Sequence, residues 1–136
     1  MSTPATMRET GAAEREISRG IVAIYKEYLG RGPTSARSEV TPHTSITTLS
    51  DSLTKAERSL IDRGEGESVR EMRRKFQLAM RKDITAVVEG VTGRPAASFL
   101  SDHDTETDVA VEVVVFAPAP ESERDAPVAE AEAAAT

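Results

Sequence analysis

The densest concentration of chemically capable side chains lies at residues 101–108, read Ser-Asp-His-Asp-Thr-Glu-Thr-Asp. Asp102, His103, Asp104 and Asp108 are of types that ligate divalent cations, and alternating acids resemble the loop ligands of a hard metal. The stretch lacks the glycine and the terminal glutamate of a calcium loop. A histidine among aspartates also suits proton transfer, but no nucleophile stands at a recognisable spacing, so no catalytic residue is assigned. The competing reading is a solvated hairpin turn, whose Asp side chains accept from local backbone N–H groups. That reading takes precedence, and the metal site is the minority alternative. The other histidine, His43, follows Pro42 in a second turn signal and reads as solvent-exposed. Neither a cofactor nor an enzymatic activity is expected.

A second set of candidates is basic. Arg70, Arg74 and Arg81 are spaced by 4 and 7 residues, which puts them on nearly one stripe of a helix. Such a stripe could meet the phosphates of nucleic acid or of anionic lipid. Glu67 and Glu71 can pair with part of it, and no aromatic residue interleaves with it to stack bases. A solvated helix face is the plainer reading. Arg31, inside Gly30-Arg31-Gly32, and Arg37 complete the set of partner- or anion-contact candidates. A helix C-terminus is the unfavourable end for an anion, so the glycines around Arg31 read first as a tight turn.

The elements that must position these residues follow from periodicity. Ile17, Ile21, Ile24 and Tyr28 repeat at helical spacing, widened by Val22, Tyr25 and Leu29, which predicts a helix from about Ala12. Glu14 and Glu16 would then lie near its positive end. Gly30 and Pro33 stop it. Residues 34–40 and 45–49 read as two polar, β-branched strands around Pro42-His43, a weak hairpin suited to a sheet edge. Thr54 and Glu57 match a capping box that opens a short helix through about Asp62, with Leu60 and Ile61 inward. Val69, Met72, Phe76, Ala79 or Met80, Ile84, Val87 and Val91 predict a long helix, with Ser68 and Glu71 as a further cap and Gly93 as its stop. Residues 96–101 and 109–117 read as the closing pair of strands. The predicted fold class is α+β: two β-hairpins forming one four-stranded antiparallel sheet, with two long helices and one short helix packed on one face.

Bulk properties bound the rest. The chain has 136 residues, enough for one domain, and its 38% hydrophobic content is low enough that part of it is expected not to fold. Residues 1–11 and 118–136 are the expected disordered segments, leaving 12–117 as the domain. The 118–136 stretch supplies −4 of the net charge of −6. No run of apolar residues is long enough to span a membrane, the N-terminus has no apolar signal segment, and there is no cysteine. A cytoplasmic location is the expectation.

Four segments taken in order resemble a known family. They are Tyr25-Lys-Glu-Tyr-Leu-Gly-Arg-Gly-Pro33 with Ala36-Arg37; Leu53-Thr-Lys-Ala-Glu57; Val69-Arg-Glu-Met-Arg-Arg-Lys-Phe-Gln77 with Met80-Arg81; and Thr92-Gly-Arg94 leading to Ser101-Asp-His103 and Asp108-Val-Ala-Val-Glu-Val113. Their arrangement resembles the MpsC-like family over residues 12–117. The family name implies a link to a Na+-translocating, membrane-potential-generating system. A chain without a spanning segment cannot form the ion path itself. The resemblance therefore implies an accessory or regulatory role by protein–protein contact with an integral membrane partner, peripheral to the membrane. It carries no catalytic residues. The second strand, Ser45-Ile-Thr-Thr-Leu-Ser-Asp-Ser52, departs from the family's continuous apolar run. Nucleic-acid or other anion binding through the long helix is the alternative function, and a homodimer through a sheet edge is the expected self-association.

Overall fold

The computed structural model describes the backbone of residues 5–118, with side chains from residue 11 onward. Element order is α1 (Ala5–Leu29), β1 (Ser35–Val40), β2 (Thr44–Ser50), α2 (Lys55–Asp62), α3 (Gly66–Thr92), β3 (Ala96–Asp104) and β4 (Val109–Phe116). The two hairpins join through β2 and β4 into one antiparallel sheet of order β1-β2-β4-β3. This is the predicted α+β arrangement.

Strand alternation gives the sheet two unlike faces. One carries Ser45, Thr47 and Leu49 of β2 with Ala110, Glu112, Val114 and Phe116 of β4, all buried. Against it pack Ile17, Ile21, Ile24 and Tyr25 of α1 and Met80, Ile84 and Val88 of α3. Each fully buried aliphatic side chain contributes about 1.5–3 kcal/mol relative to exposure. Truncating Ile84, which is inaccessible, to Ala would cost about 2–5 kcal/mol. The two long helices approach closely at Gly20, where an added Cβ would stand 2.6 Å from a Val87 methyl. The other sheet face is covered by no described element.

Several boundaries differ from the sequence expectation. Helix α1 starts at Ala5 rather than near Ala12, so Glu14 is not at the positive end. Glu14 instead accepts a 2.8 Å hydrogen bond from the N–H of Val40 on the edge strand β1. The capping box forms as expected, Thr54 and Glu57 each accepting the other's backbone N–H. Leu60, however, is exposed, and the buried residue of α2 is Glu57. Helix α3 opens at Gly66 without a side-chain cap, and Ser68 bonds back to Glu65 instead of pairing with Glu71. Its end is as predicted: Gly93 takes the left-handed conformation, φ 70°, and closes the last turn onto Glu89. Strand β3 runs three residues further than expected, to Asp104, because pairing with Val109, Ala110 and Val111 outweighs the poor strand propensity of Asp-His-Asp. The expectations for residues 1–4 and 119–136 lie outside the described residues.

Candidate functional site

The extension of β3 divides the acidic stretch. Residues 101 and 103 share the core face of the strand, and 102 and 104 share the open face, because side chains alternate. The turn proper is 105–108, and Asp108 holds it in the left-handed region at φ 55°. His103 is buried, and its Nε2 lies 2.9 Å from Oδ1 of Asp108. Burial pushes the imidazole pKa down, against the opposing pull of Asp108, so at neutral pH the ring is uncharged and Nε2–H donates. The other oxygen, Oδ2, accepts from the N–H of Leu53 at 3.1 Å and from Nη2 of Arg58 at 2.9 Å. Burial would raise the Asp108 pKa. The bonds from Leu53 and His103 outweigh it and hold the carboxylate below its ordinary range. Asp108 thus ties the β3–β4 turn to the segment entering α2.

The same alternation divides the four candidate metal ligands between two faces. His103 and Asp108 face inward, while Asp102 and Asp104 stand on the opposite face. Among the described residues no group of three His, Asp or Glu is placed to hold a metal ion. His43 cannot join them: Thr44 pairs with Val115 and His103 with Ala110, about 17 Å apart along β4.

Beneath the turn lies a polar core that the sequence reading did not single out. Arg73 and Glu57 form a bidentate ion pair, Nε to Oε2 at 2.6 Å and Nη2 to Oε1 at 2.7 Å. Both are nearly inaccessible to solvent. Arg73 also donates to the backbone oxygen of Ser52 at 2.6 Å. Burial alone would raise the Glu57 pKa, but the hydrogen bonds from Arg73 and Thr54 hold it below its ordinary value. Farther in, the Tyr25 hydroxyl donates to Oε1 of Glu112 at 2.5 Å. Burial pushes the Glu112 carboxyl up to about 7, and burial together with Glu112 raises the Tyr25 phenol. Among the described residues Oε2 of Glu112 accepts no hydrogen bond, which favours its neutral form.

Two signals in the sequence pointed here. Glu112 interrupts the apolar run of β4 at an inward position. Arg73 and Gln77 continue the spacing of Val69, Met80, Ile84 and Val88, which are the buried residues of α3. Apolarity alone selects Met72 instead, and Met72 is exposed.

The five candidate contact arginines are not brought to one place. Arg70 and Arg74 line an open cleft of about 840 Å³ together with Asp102, His103, Asp104 and Glu106. The acids offset the positive field that a nucleic-acid backbone would require. Arg70 also lies 3.6 Å from Glu67. Arg81 is exposed farther along α3, in line with Arg74 and with Leu78, the most exposed large apolar residue described. Arg31 is held by the backbone oxygen of Leu53 at 2.5 Å and by Asp51 at 3.5 Å, and Gly30 before it takes the expected left-handed turn, φ 82°. Arg37 is exposed on β1.

An uncharacterised protein of Bacillus subtilis (strain 168), YbcI, is 29% identical over 101 residues, 74% of this chain and 82% of the relative. No solved structure matches. Residues 9–118 match the profile of the family described as the Na+-translocating membrane potential-generating system (MpsC), and the chain belongs to that family.

Proposed function

We propose that this protein is an accessory subunit of a Na+-translocating, membrane-potential-generating system, working by contact with a membrane-embedded partner rather than as an enzyme. The observation that carries this reading is the match of residues 9–118 to that family. Among the described residues no helix is long and apolar enough to cross a membrane, and the four strands form an open sheet with two edges. Backbone polar groups at an open edge cannot be left in hydrocarbon. On this reading the chain contributes to such a system from the membrane surface.

The outer stripe of α3 suits the contact. Arg70, Arg74, Leu78 and Arg81 fall on one exposed line, three cations around an apolar side chain that is 65% exposed. An exposed apolar anchor rimmed by arginines is a common composition for an interface centre. The test is affinity capture of the natively expressed, tagged chain from detergent-solubilised membranes. An integral membrane protein should be retained by the wild type and lost with Arg74→Glu/Leu78→Asp. Recovery of no membrane protein at native expression would overturn the reading.

A further inference from the structure

The uncovered face of the sheet carries its own pattern. Val109, Val111, Val113 and Val115 of β4, Ile46 of β2 and Leu100 of β3 all lie on it by strand alternation. The valines and Ile46 are half-buried, and Leu100 is 56% exposed. A face of this composition in the centre of a sheet normally packs against a second layer.

The charges on that face say which layer fits. Arg37 pairs with Thr48, Thr48 with Val111 and Val111 with Asp102, so a single row crosses all four strands. It begins with a cation at one edge and ends with an anion at the other. Neither Arg37 nor Asp102 makes an ion pair among the described residues; Asp102 accepts only the N–H of His103. The next row runs Glu39, Ile46, Val113, Leu100 and supplies the apolar centre.

We infer that this face is a homodimer interface, two copies stacking sheet on sheet about a two-fold axis that runs along the strands. That axis exchanges the two edges while keeping each row at its level. Strand β1 of one copy then lies over β3 of the other, and each Arg37 meets Asp102 of the second copy. In the centre Ile46 lies over Val113 and Thr48 over Val111. The other in-plane axis, perpendicular to the strands, would set Arg37 against Arg37 and Asp102 against Asp102, so the charges select between the two packings. A two-fold interface must be self-complementary, and this row is. The arrangement uses the sheet face, not the sheet edge.

Sedimentation of the full chain at low salt tests this. The wild type should run as a dimer, twice the 14.6 kDa of one chain. Val113→Lys should give a folded monomer, its fold checked by circular dichroism. Arg37→Asp and Asp102→Arg should each weaken the dimer at least tenfold, because each places like charges together at two symmetry-related points. The double reversal Arg37→Asp/Asp102→Arg in one chain should restore it. Under the perpendicular axis, or with an interface elsewhere, the double reversal would restore nothing. A monomeric wild type overturns the inference, whatever other segment or protein then covers the face. A dimer that survives Val113→Lys, or a double reversal that stays dissociated, overturns it as well.

Discussion

Glu57 and Arg73 are 16 residues apart and meet through two hydrogen bonds of 2.6 and 2.7 Å across the contact of α2 with α3. The same carboxylate accepts the N–H of Thr54 at 2.8 Å, so one side chain both caps α2 and neutralises the buried arginine of α3. Removing one member of such a pair strands a charge in the core, whereas removing both does not. Arg73→Met should therefore destabilise by about 3–5 kcal/mol. Glu57→Met/Arg73→Met should cost less than Arg73→Met alone, even though the double variant also loses the cap, worth about 1 kcal/mol. Urea denaturation of the four proteins of the cycle measures the coupling. Strictly additive losses would show that the pair does not act as a unit.

The buried carboxyl of Glu112 gives stability an unusual pH dependence. Its folded pKa, about 7, lies above the ordinary value of 4.5 that the unfolded chain restores. Between those values the folded protein keeps a proton that the unfolded chain has released, so this group's contribution to stability falls as pH rises and is lowest above 7. His103 works in the other direction: its pKa is lowered, so its contribution is lost as pH falls below the ordinary value of 6.5. Glu112→Gln removes the first effect and keeps the second. Its gain over the wild type should be on the order of 2–3 kcal/mol at pH 8 and near zero at pH 4.5. Thermal melts at the two pH values read it directly. A change in Tm that is equal at both would mean that Glu112 is already charged in the folded protein.

The division of residues 101–108 between two sheet faces predicts a negative result with metals. Titration with Zn2+, Mn2+ or Ca2+ should release no heat of binding, since His103 and Asp108 are spent on each other and on Leu53 and Arg58. A saturable isotherm abolished by His103→Ala would contradict that account.

What the sequence made legible was whatever depended on local chemistry. The capping box at Thr54 and Glu57, the left-handed stop at Gly93, the turn at Gly30 and the strand β4 all rest on neighbours within a few residues. They stand where periodicity and turn chemistry put them. The hydrophobic deficit of β2 did not prevent its central position: Ser45, Thr47 and Leu49 are all buried, and the apolar β4 pairs beside them along the strand. The polar core was not legible, because its partners are far apart in the chain. Tyr25 and Glu112 are separated by 87 residues, and Leu53 and Asp108 by 55. An arginine in a basic helix carries no local mark of being buried. Only the spacing of Arg73 with Val69 and Gln77 distinguishes it from Arg70 and Arg74, and a reading by apolarity passes over it.

The proposed role, support from the membrane surface for a Na+-translocating, membrane-potential-generating system, makes a direct demand. The most direct measurement is the Na+-dependent potential, read with a voltage-sensitive dye, in vesicles from cells that express the system natively, with and without this chain. The potential should collapse when the chain is deleted. It should return with the wild-type chain but not with a folded Arg74→Glu/Leu78→Asp variant. A Na+-dependent potential of full size in the deletion strain would contradict the account.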